Sequence, residues 1–168
     1  KVLKSLSTEA FIYAVVKADA YGHGAKRISL ELEQFVDRFC VASIDEALEL
    51  RSVGIRKKVM LLEGVFSLEE ISIAIDNELS LVLHSNYQLD WLQQVQQRRY
   101  LDVWLKVDTG VGRLGFFIDE LDGVIRKVEK LDLKFGLLTH LSTADCKHDS
   151  YFEFQFSFDL VHCLDRGQ

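Results

Sequence analysis

Short apolar segments recur along the chain and alternate with amphipathic segments. Six segments are short and mostly apolar, which suits strands buried on both faces, and the first of them is rich in β-branched and aromatic residues. They cover 11–18, 39–43, 58–64, 79–85, 101–110 and 133–142. Because strands that alternate with helices form parallel sheets, the pattern predicts about six consecutive β/α units.

Helix signals fill the gaps between these strands. Apolar residues at spacings of three and four predict one helix within 28–35 and another within 121–131. Three serines each stand three residues before Glu or Gln, which is the capping-box pattern of a helix N-terminus. They are Ser43, Ser67 and Ser85.

Two architectures fit this order of elements: an open doubly wound sheet and a (β/α) barrel. Polar residues recur at the predicted strand ends, namely Lys17, Ser43, Glu63, His84, Asp108 and His140. In a barrel these ends meet on one face, where the active site lies. We therefore expect an α/β fold of the TIM type, a (β/α)8 barrel of which about six of eight units are present in this chain.

The stretch "AVVKADAYGHG" (14–24) ends a strand with a lysine and then turns on glycines. Strand alternation places Tyr13, Val15 and Lys17 on one face, which we expect to be the inner face of the barrel. Burial disfavours the charged form of a lysine, and a neutral amine can form a Schiff base with a carbonyl. This arrangement suits pyridoxal 5′-phosphate (PLP), which acts as an electron sink. A lysine that extends from a strand end to solvent is the alternative.

The loop after Lys17 adds groups that could bind a phosphate. The Tyr21 hydroxyl could donate to it, and Gly22 and Gly24 permit conformations and close approaches that side chains block. The helix predicted after Gly24 would offer backbone N–H groups at its start. An ordinary strand-to-helix turn is the alternative.

A second dense segment is "KVDTGVGRLGF" (106–116), which follows a predicted strand. Arg113 keeps its charge and could hold a phenolate or a carboxylate, although a glycine-rich turn with solvated charges is the alternative. His140 follows another strand, where a structural histidine is the alternative interpretation. His140, Asp145, Cys146 and His148 match no zinc-binding spacing, so we expect no metal site.

Composition narrows the class of protein. The chain has 168 residues, is 48% hydrophobic and 27% charged, and carries a net charge of −6, which is typical of a soluble globular protein. No dense basic block suggests nucleic-acid binding, and no apolar run reaches the ~18–20 residues of a membrane span. No signal peptide is recognised at the start. Cys40, Cys146 and Cys163 are expected to be reduced, which indicates the cytoplasm.

Three motifs resemble the alanine racemases. "AVVKADAYGHG" resembles their PLP-attachment motif, while "VWLKVDTGVGRLGF" and "LTHLSTAD" resemble two further signatures. Val111 stands where the family usually has Met. "CVASIDEALELRSVGI" and "VMLLEG" also follow the family in order and spacing. The resemblance spans almost the whole chain and implies a PLP-dependent isomerase of fold type III.

The resemblance also implies roles for five residues. Lys17 would carry PLP covalently and act as a base, and Tyr21 would bind the cofactor phosphate. Arg113 would bind the phenolate oxygen and help bind the substrate carboxylate. Lys106 would be open to carbamylation and would then orient Arg113, and His140 would lie beside the cofactor ring. The family interconverts L- and D-alanine for bacterial cell-wall peptidoglycan and works as a homodimer.

In the family, a tyrosine from the β-rich C-terminal domain of the partner subunit is the second base. We expect residues 1–168 to be a partial N-terminal PLP-binding barrel domain, with the C-terminal β-rich domain absent. Three interpretations stay open. The chain could be part of an active alanine racemase, part of a serine or broad-specificity racemase, or a truncated fragment without activity.

Overall fold

The computed structural model describes residues 9–146 and 149–157. Six parallel strands form one sheet in chain order, and each strand pairs with the next. The strands are β1 (Tyr13–Val15), β2 (Arg38–Val41), β3 (Lys58–Leu61), β4 (Leu79–Leu83), β5 (Asp102–Lys106) and β6 (Phe135–Leu138). All six predicted strands are confirmed, each within its predicted segment or one residue from it, and shorter than predicted.

Helices follow the strands as predicted. They are α1 (Ala25–Leu32), α2 (Ile44–Ser52), α3 (Leu68–Asp76), α4 (Asn86–Gln94), α5 (Leu121–Lys130) and α6 (Ser150–Phe156). Short 3-10 segments precede β5 and α5. The segment Lys17–Gly22 after β1 is also helical, but its conformation is left-handed.

The sheet curls into a half-barrel. In a flat sheet with strands ~4.8 Å apart, β1 and β5 would be separated by about 19 Å. Instead, the rings of Tyr13 on β1 and Trp104 on β5 meet edge to face, with centroids 6.0 Å apart. The predicted partial (β/α) barrel is therefore confirmed, and the open doubly wound sheet is excluded.

Strand alternation gives the sheet two apolar faces. The larger core lies between the outer face and the helices, where Phe39, Leu81 and Leu105 are fully buried. A smaller cluster lines the inner face: Cys40, Met60 and Val82, with Tyr13, Leu62, Trp104 and Leu138 packed against them. Lys17 continues the inner-face alternation of Tyr13 and Val15, so its side chain belongs to the inner face.

The predicted capping boxes form only in part. The serine side chains accept no capping hydrogen bond. The side chains three residues later instead accept a hydrogen bond from the backbone N–H that precedes each serine. These bonds are Ala42 to Glu46 at 2.7 Å, Phe66 to Glu70 at 2.8 Å and His84 to Gln88 at 2.8 Å.

A polar network closes the end of the half-barrel where the strands begin. Arg38 is buried, with 7% of its surface exposed. Its guanidinium donates to the Ser80 hydroxyl and, at 2.8 Å, to the Asp102 carboxylate. It also lies 5.1 Å from the centre of the Tyr13 ring. Because a buried guanidinium needs a counter-charge, Asp102 stabilises this end of the fold.

We expect Asp102→Asn to lower the free energy of unfolding by about 2 kcal/mol at pH 7, since Arg38 loses its counter-charge. Burial raises the pKa of Asp102, but hydrogen bonds from Arg38 and Ser80 outweigh this and lower it overall. A carboxylate with a depressed pKa contributes its full stability above its unfolded pKa of about 3.9 and loses it as the pH falls through the folded value. Urea titrations of both proteins should therefore converge below about pH 4. A difference that stays constant down to pH 3 would contradict this assignment.

Two of the three cysteines fall within the described residues, and both are free thiols. Burial raises the pKa of Cys40 to about 11, so this thiol is held protonated. Cys146 is exposed, and Cys163 lies outside the described residues. Among the helices of the described ranges, none is both long and apolar enough to cross a bilayer.

Candidate active site

The chain leaves β1 through a left-handed turn that carries Lys17. Four successive residues, Ala18 to Tyr21, have φ between 51° and 54°. Such conformations cost non-glycine residues roughly 1–2 kcal/mol each, so the surroundings must hold them in place. The sequence predicts a glycine-dependent turn here but not its handedness.

Hydrogen bonds from both sides fix this turn. Ala20 N–H donates to the Val16 carbonyl and Gly24 N–H to the Asp19 carbonyl, both at 2.9 Å. Ala18 N–H donates to the Glu46 carboxylate at 2.7 Å. The turn therefore presents Lys17 from a fixed backbone.

The two glycines of this turn have positive φ values, 85° for Gly22 and 89° for Gly24, and an added Cβ at either would meet no described atom within 4 Å. One other feature of the turn differs from the sequence prediction. The first N–H of α1, on Ala25, donates to the Asp19 carboxylate at 2.7 Å. This donor is therefore already occupied and does not face a phosphate.

The Asp108 carboxylate organises the glycine-rich loop after β5. It accepts hydrogen bonds from the backbone N–H groups of Gly110 and Gly112, each at 2.9 Å. Gly115 has a φ of 128°, and a Cβ there would lie 2.8 Å from the Asp108 nitrogen. The loop is closed by Phe116 N–H, which donates to the Lys106 carbonyl at 2.9 Å. These bonds fix the loop that begins directly after Lys106 and contains Arg113.

Lys106 and Arg113 differ in exposure. The Lys106 side chain is buried, with 7% exposed, whereas Arg113 is exposed. Burial lowers the pKa of the Lys106 amine, and the positive charge of Arg113 lowers it further against the opposing charge of Asp108. Two cationic side chains, with one acid acting on Lys106, favour an anionic ligand or an anionic modification at this point.

His140 is the point where the predicted site residues come together. Burial lowers its pKa, and the positive charges of Arg113, Lys106 and Lys17 lower it further, in that order. The imidazole is therefore neutral at pH 7, with three cations within electrostatic range. We call Lys17, Lys106, Arg113 and His140 the rim cluster.

Tyr21 stands apart from the rim cluster. Its side chain is 62% exposed, and within residues 9–146 and 149–157 no hydrogen bond or ring contact joins it to these four residues. The structure therefore brings together four of the five predicted site residues. Tyr21 lies on the same turn as Lys17 and faces open space.

His84 is a residue of the site that sequence reasoning placed only at a strand end. Its Nε2 lies 3.1 Å from the Glu63 carbonyl oxygen, and Gln88 lies 3.3 Å from the same nitrogen. Burial lowers the pKa of His84, and the charge of Lys106 contributes to the same shift. The signal that could have found it was its inward position in the strand alternation, shared with Lys17 and Lys106.

The loops that carry Arg113 and His140 are joined by a buried glutamine on α6. Gln155 is 2% exposed and donates to the His140 carbonyl at 3.1 Å and to the Thr109 hydroxyl at 3.3 Å. Ser142 N–H donates to its side-chain oxygen at 2.9 Å. In the described part of the chain no cluster of three or more His, Cys, Asp and Glu side chains could hold a metal ion, and His148 lies outside it.

Comparison with known proteins assigns this arrangement to a family. A family model described as the N-terminal domain of alanine racemase matches residues 1–160. The chain belongs to the alanine racemase family. The motifs around Lys17, Lys106 and His140 therefore resemble those of the family because the chain is a member of it.

Individual alanine racemases agree with this membership. The chain is 40% identical over 160 residues to the alanine racemase of Haemophilus influenzae. This alignment covers 94% of the chain and 44% of that protein. The alanine racemase structure from Acinetobacter baumannii superimposes with a TM-score of 0.87 at 35% identity, over 97% of the chain and 48% of that protein. The structure from Bacillus anthracis with bound L-Ala-P gives a TM-score of 0.84 at 30% identity, over 98% and 45%. The chain thus spans about half the length of the alanine racemases that it matches.

Proposed function

We propose that this chain is the N-terminal part of an alanine racemase that uses PLP to interconvert L- and D-alanine. The observation that carries the proposal is the rim cluster. Its lysine amine is held by a strained turn on the inner face of the half-barrel, within electrostatic range of the histidine that Lys106 and Arg113 also influence. Membership of the alanine racemase family supports the same conclusion.

The donor set of the rim cluster fits PLP. An aldehyde cofactor needs an amine partner, and a phosphate and a phenolate need cations or hydrogen-bond donors. The rim cluster offers three cationic side chains, while its neighbouring acid Asp108 is engaged by the backbone of its own loop. When bound, PLP would supply an electron sink that makes the Cα proton of an amino acid labile.

Each side chain then has a separate task. Lys17 would hold the cofactor through its amine, and the same amine would serve as the base that removes or returns a proton at Cα. Arg113 holds the phenolate oxygen and the substrate carboxylate, and the exposed Tyr21 hydroxyl donates to the phosphate. His140, whose pKa is lowered mainly by burial and next by Arg113, would stay neutral beside the ring and add no further positive charge.

Racemisation needs a proton donor and a proton acceptor on opposite faces of Cα. Lys17 supplies one of them. We propose that the second comes from the partner subunit of a homodimer, and that the protein works in the cytoplasm, where it supplies D-alanine for peptidoglycan. The relatives compared above are named alanine racemases, and neither a serine or broad-specificity racemase nor an inactive fragment is favoured by them.

We further propose that Lys106 is carbamylated. Its pKa is lowered by burial and by Arg113, which increases the neutral amine that attacks carbon dioxide. In this step the lone pair of Nζ forms a bond to the carbon of CO2, one C–O π bond opens to leave its electron pair on oxygen, and Nζ releases a proton to solvent water. The product is an anion beside Arg113, so it converts a repulsive pair into an attractive one and orients the guanidinium.

We expect ¹³C-bicarbonate to give a carbamate signal in the NMR spectrum of the protein at its natural length. Lys106→Gln should remove that signal, and Lys127→Gln, at an exposed lysine that bonds Asn86 at 2.7 Å, should leave it unchanged. A signal that persists in Lys106→Gln, or no signal in the unsubstituted protein, would show that Lys106 is not modified.

The activity is tested on the protein at its natural length, loaded with PLP. Incubation with L-alanine in D2O should yield D-alanine, detected by chiral chromatography, and deuterium at Cα, detected by mass spectrometry. L-Serine should react more slowly than L-alanine. Faster formation of D-serine would favour the broader racemase, and neither product nor deuterium would reject the proposed function.

A further inference from the structure

We propose that Glu46 is a positioning residue for Lys17, an inference that rests on the proposed function. Glu46 lies in the first turn of α2, which follows the next strand along the sheet. One oxygen of its carboxylate accepts a hydrogen bond from Ala42 N–H at 2.7 Å. The other oxygen accepts one from Ala18 N–H, also at 2.7 Å. Ala18 directly follows Lys17.

The Glu46 carboxylate links the two segments at the point where the backbone hydrogen bonds between β1 and β2 end. The last backbone bond between the first two strands runs from Val16 N–H to the Cys40 carbonyl at 2.9 Å. Beyond it the chain enters the left-handed turn, and its N–H groups can no longer pair with β2. Glu46 accepts one hydrogen bond from the segment after β1 and one from the segment after β2, so it ties these two backbone segments together.

The consequence falls on the Lys17 amine. Ala18 is the first of the four left-handed residues, with a φ of 51°. Without the bond to Glu46, Ala18 would be released toward the conformations that ordinary residues prefer, and Lys17 would turn with it. Glu46 touches neither cofactor nor substrate in this assignment. It acts by holding the backbone from which the amine is presented.

The chain contains a matched control. Glu70 occupies the same place at the start of α3 and accepts from Phe66 N–H at 2.8 Å. Among the described residues it accepts no bond from the loop after the preceding strand. Glu46→Ala and Glu70→Ala thus lose the same local cap, and only the first also releases Ala18.

The experiment measures attachment of PLP to Lys17 in protein freed of cofactor, from the rise of visible absorbance after PLP is added. We expect Glu46→Ala to slow attachment about tenfold, the loss of one charged hydrogen bond. Glu46→Gln, whose amide keeps one accepting oxygen, should lie between Glu46→Ala and the unsubstituted protein. Glu70→Ala should attach PLP at the unsubstituted rate even if its stability falls.

A second readout needs no cofactor. Hydrogen exchange of the Ala18 amide, followed by NMR in cofactor-free protein, should be slow in the unsubstituted protein and in Glu70→Ala, and faster in both Glu46 variants. Equal exchange and attachment in Glu46→Ala and the unsubstituted protein would overturn the inference, as would an unprotected Ala18 amide before any substitution. If the unsubstituted protein attaches no PLP, the proposed function fails, whatever Glu46 does to the Ala18 amide.

Discussion

Replacing Lys17 with alanine should abolish conversion of L- to D-alanine and remove the visible absorbance of bound PLP. The variant loses the only amine that the strained turn directs to the inner face, so no covalent link to the aldehyde can form. The fold should survive, because the side chain is half-buried and makes no hydrogen bond or ion pair within the described residues. Visible spectra, chiral assay and far-ultraviolet circular dichroism measure the three effects.

Lys26→Ala is the control for this substitution. Lys26 is an exposed lysine of α1, and its one ion-pair partner within the described residues is Glu49, at 4.0 Å. Such exposed pairs contribute little to stability, so activity, spectrum and fold should all match the unsubstituted protein. An unchanged visible spectrum in Lys17→Ala would mean that another amine carries the cofactor, and the central role of Lys17 would be lost.

Arg113→Ala should reduce kcat/KM for alanine about 100-fold while leaving the free energy of unfolding within about 0.5 kcal/mol. The guanidinium is exposed and makes no hydrogen bond within the described residues, so its removal creates neither a cavity nor an unpaired buried group. Its proposed partners are the phenolate oxygen and the substrate carboxylate. Steady-state kinetics and urea denaturation of the same preparations measure the two quantities.

Two further variants make this result specific. Arg113→Lys keeps the charge but loses the planar pair of donors, so it should recover only part of the activity. Arg126→Ala removes an exposed arginine from α5 and should change neither quantity. A loss of stability in Arg113→Ala with normal kcat/KM would indicate that the arginine organises its loop and binds nothing.

The strands and most helices follow from local patterns, and for that reason the sequence predicts them well. Segments such as 81–83 are apolar throughout because helices cover one face of the sheet and the inner cluster covers the other. The predicted strands are too long at their ends, since each observed strand stops two to four residues before the predicted segment does. At β1, for example, the ladder ends near Val16 and the turn begins at Lys17.

The handedness of the turn after Lys17 could not be predicted, because it depends on a residue 28 positions away. Four left-handed residues without glycine contradict local preference, and they are held by bonds within the turn together with the bond from Ala18 N–H to Glu46. The capping-box pattern at Ser43 places Glu46 in a local role, and its local bond comes from Ala42 N–H, one residue before the serine. Its second bond, to Ala18, exists only because parallel strands bring the two loops together.

The sequence motifs predict most of the candidate site but miss one of its residues. Four of the residues chosen from the motifs meet at the rim cluster, since each follows a strand of one parallel sheet. His84 was missed as a site residue because no motif surrounds it. The charge of Lys106 contributes to the lowered pKa of His84, and the alternation of side chains along its strand directs His84 to the same inner face.

The most direct measurement is borohydride reduction of the PLP-loaded protein at its natural length, followed by proteolysis and mass spectrometry of the labelled peptide. The account predicts a single pyridoxyl group on Nζ of Lys17, in the peptide that contains the left-handed turn. A label on Lys106 or on any other lysine would contradict it.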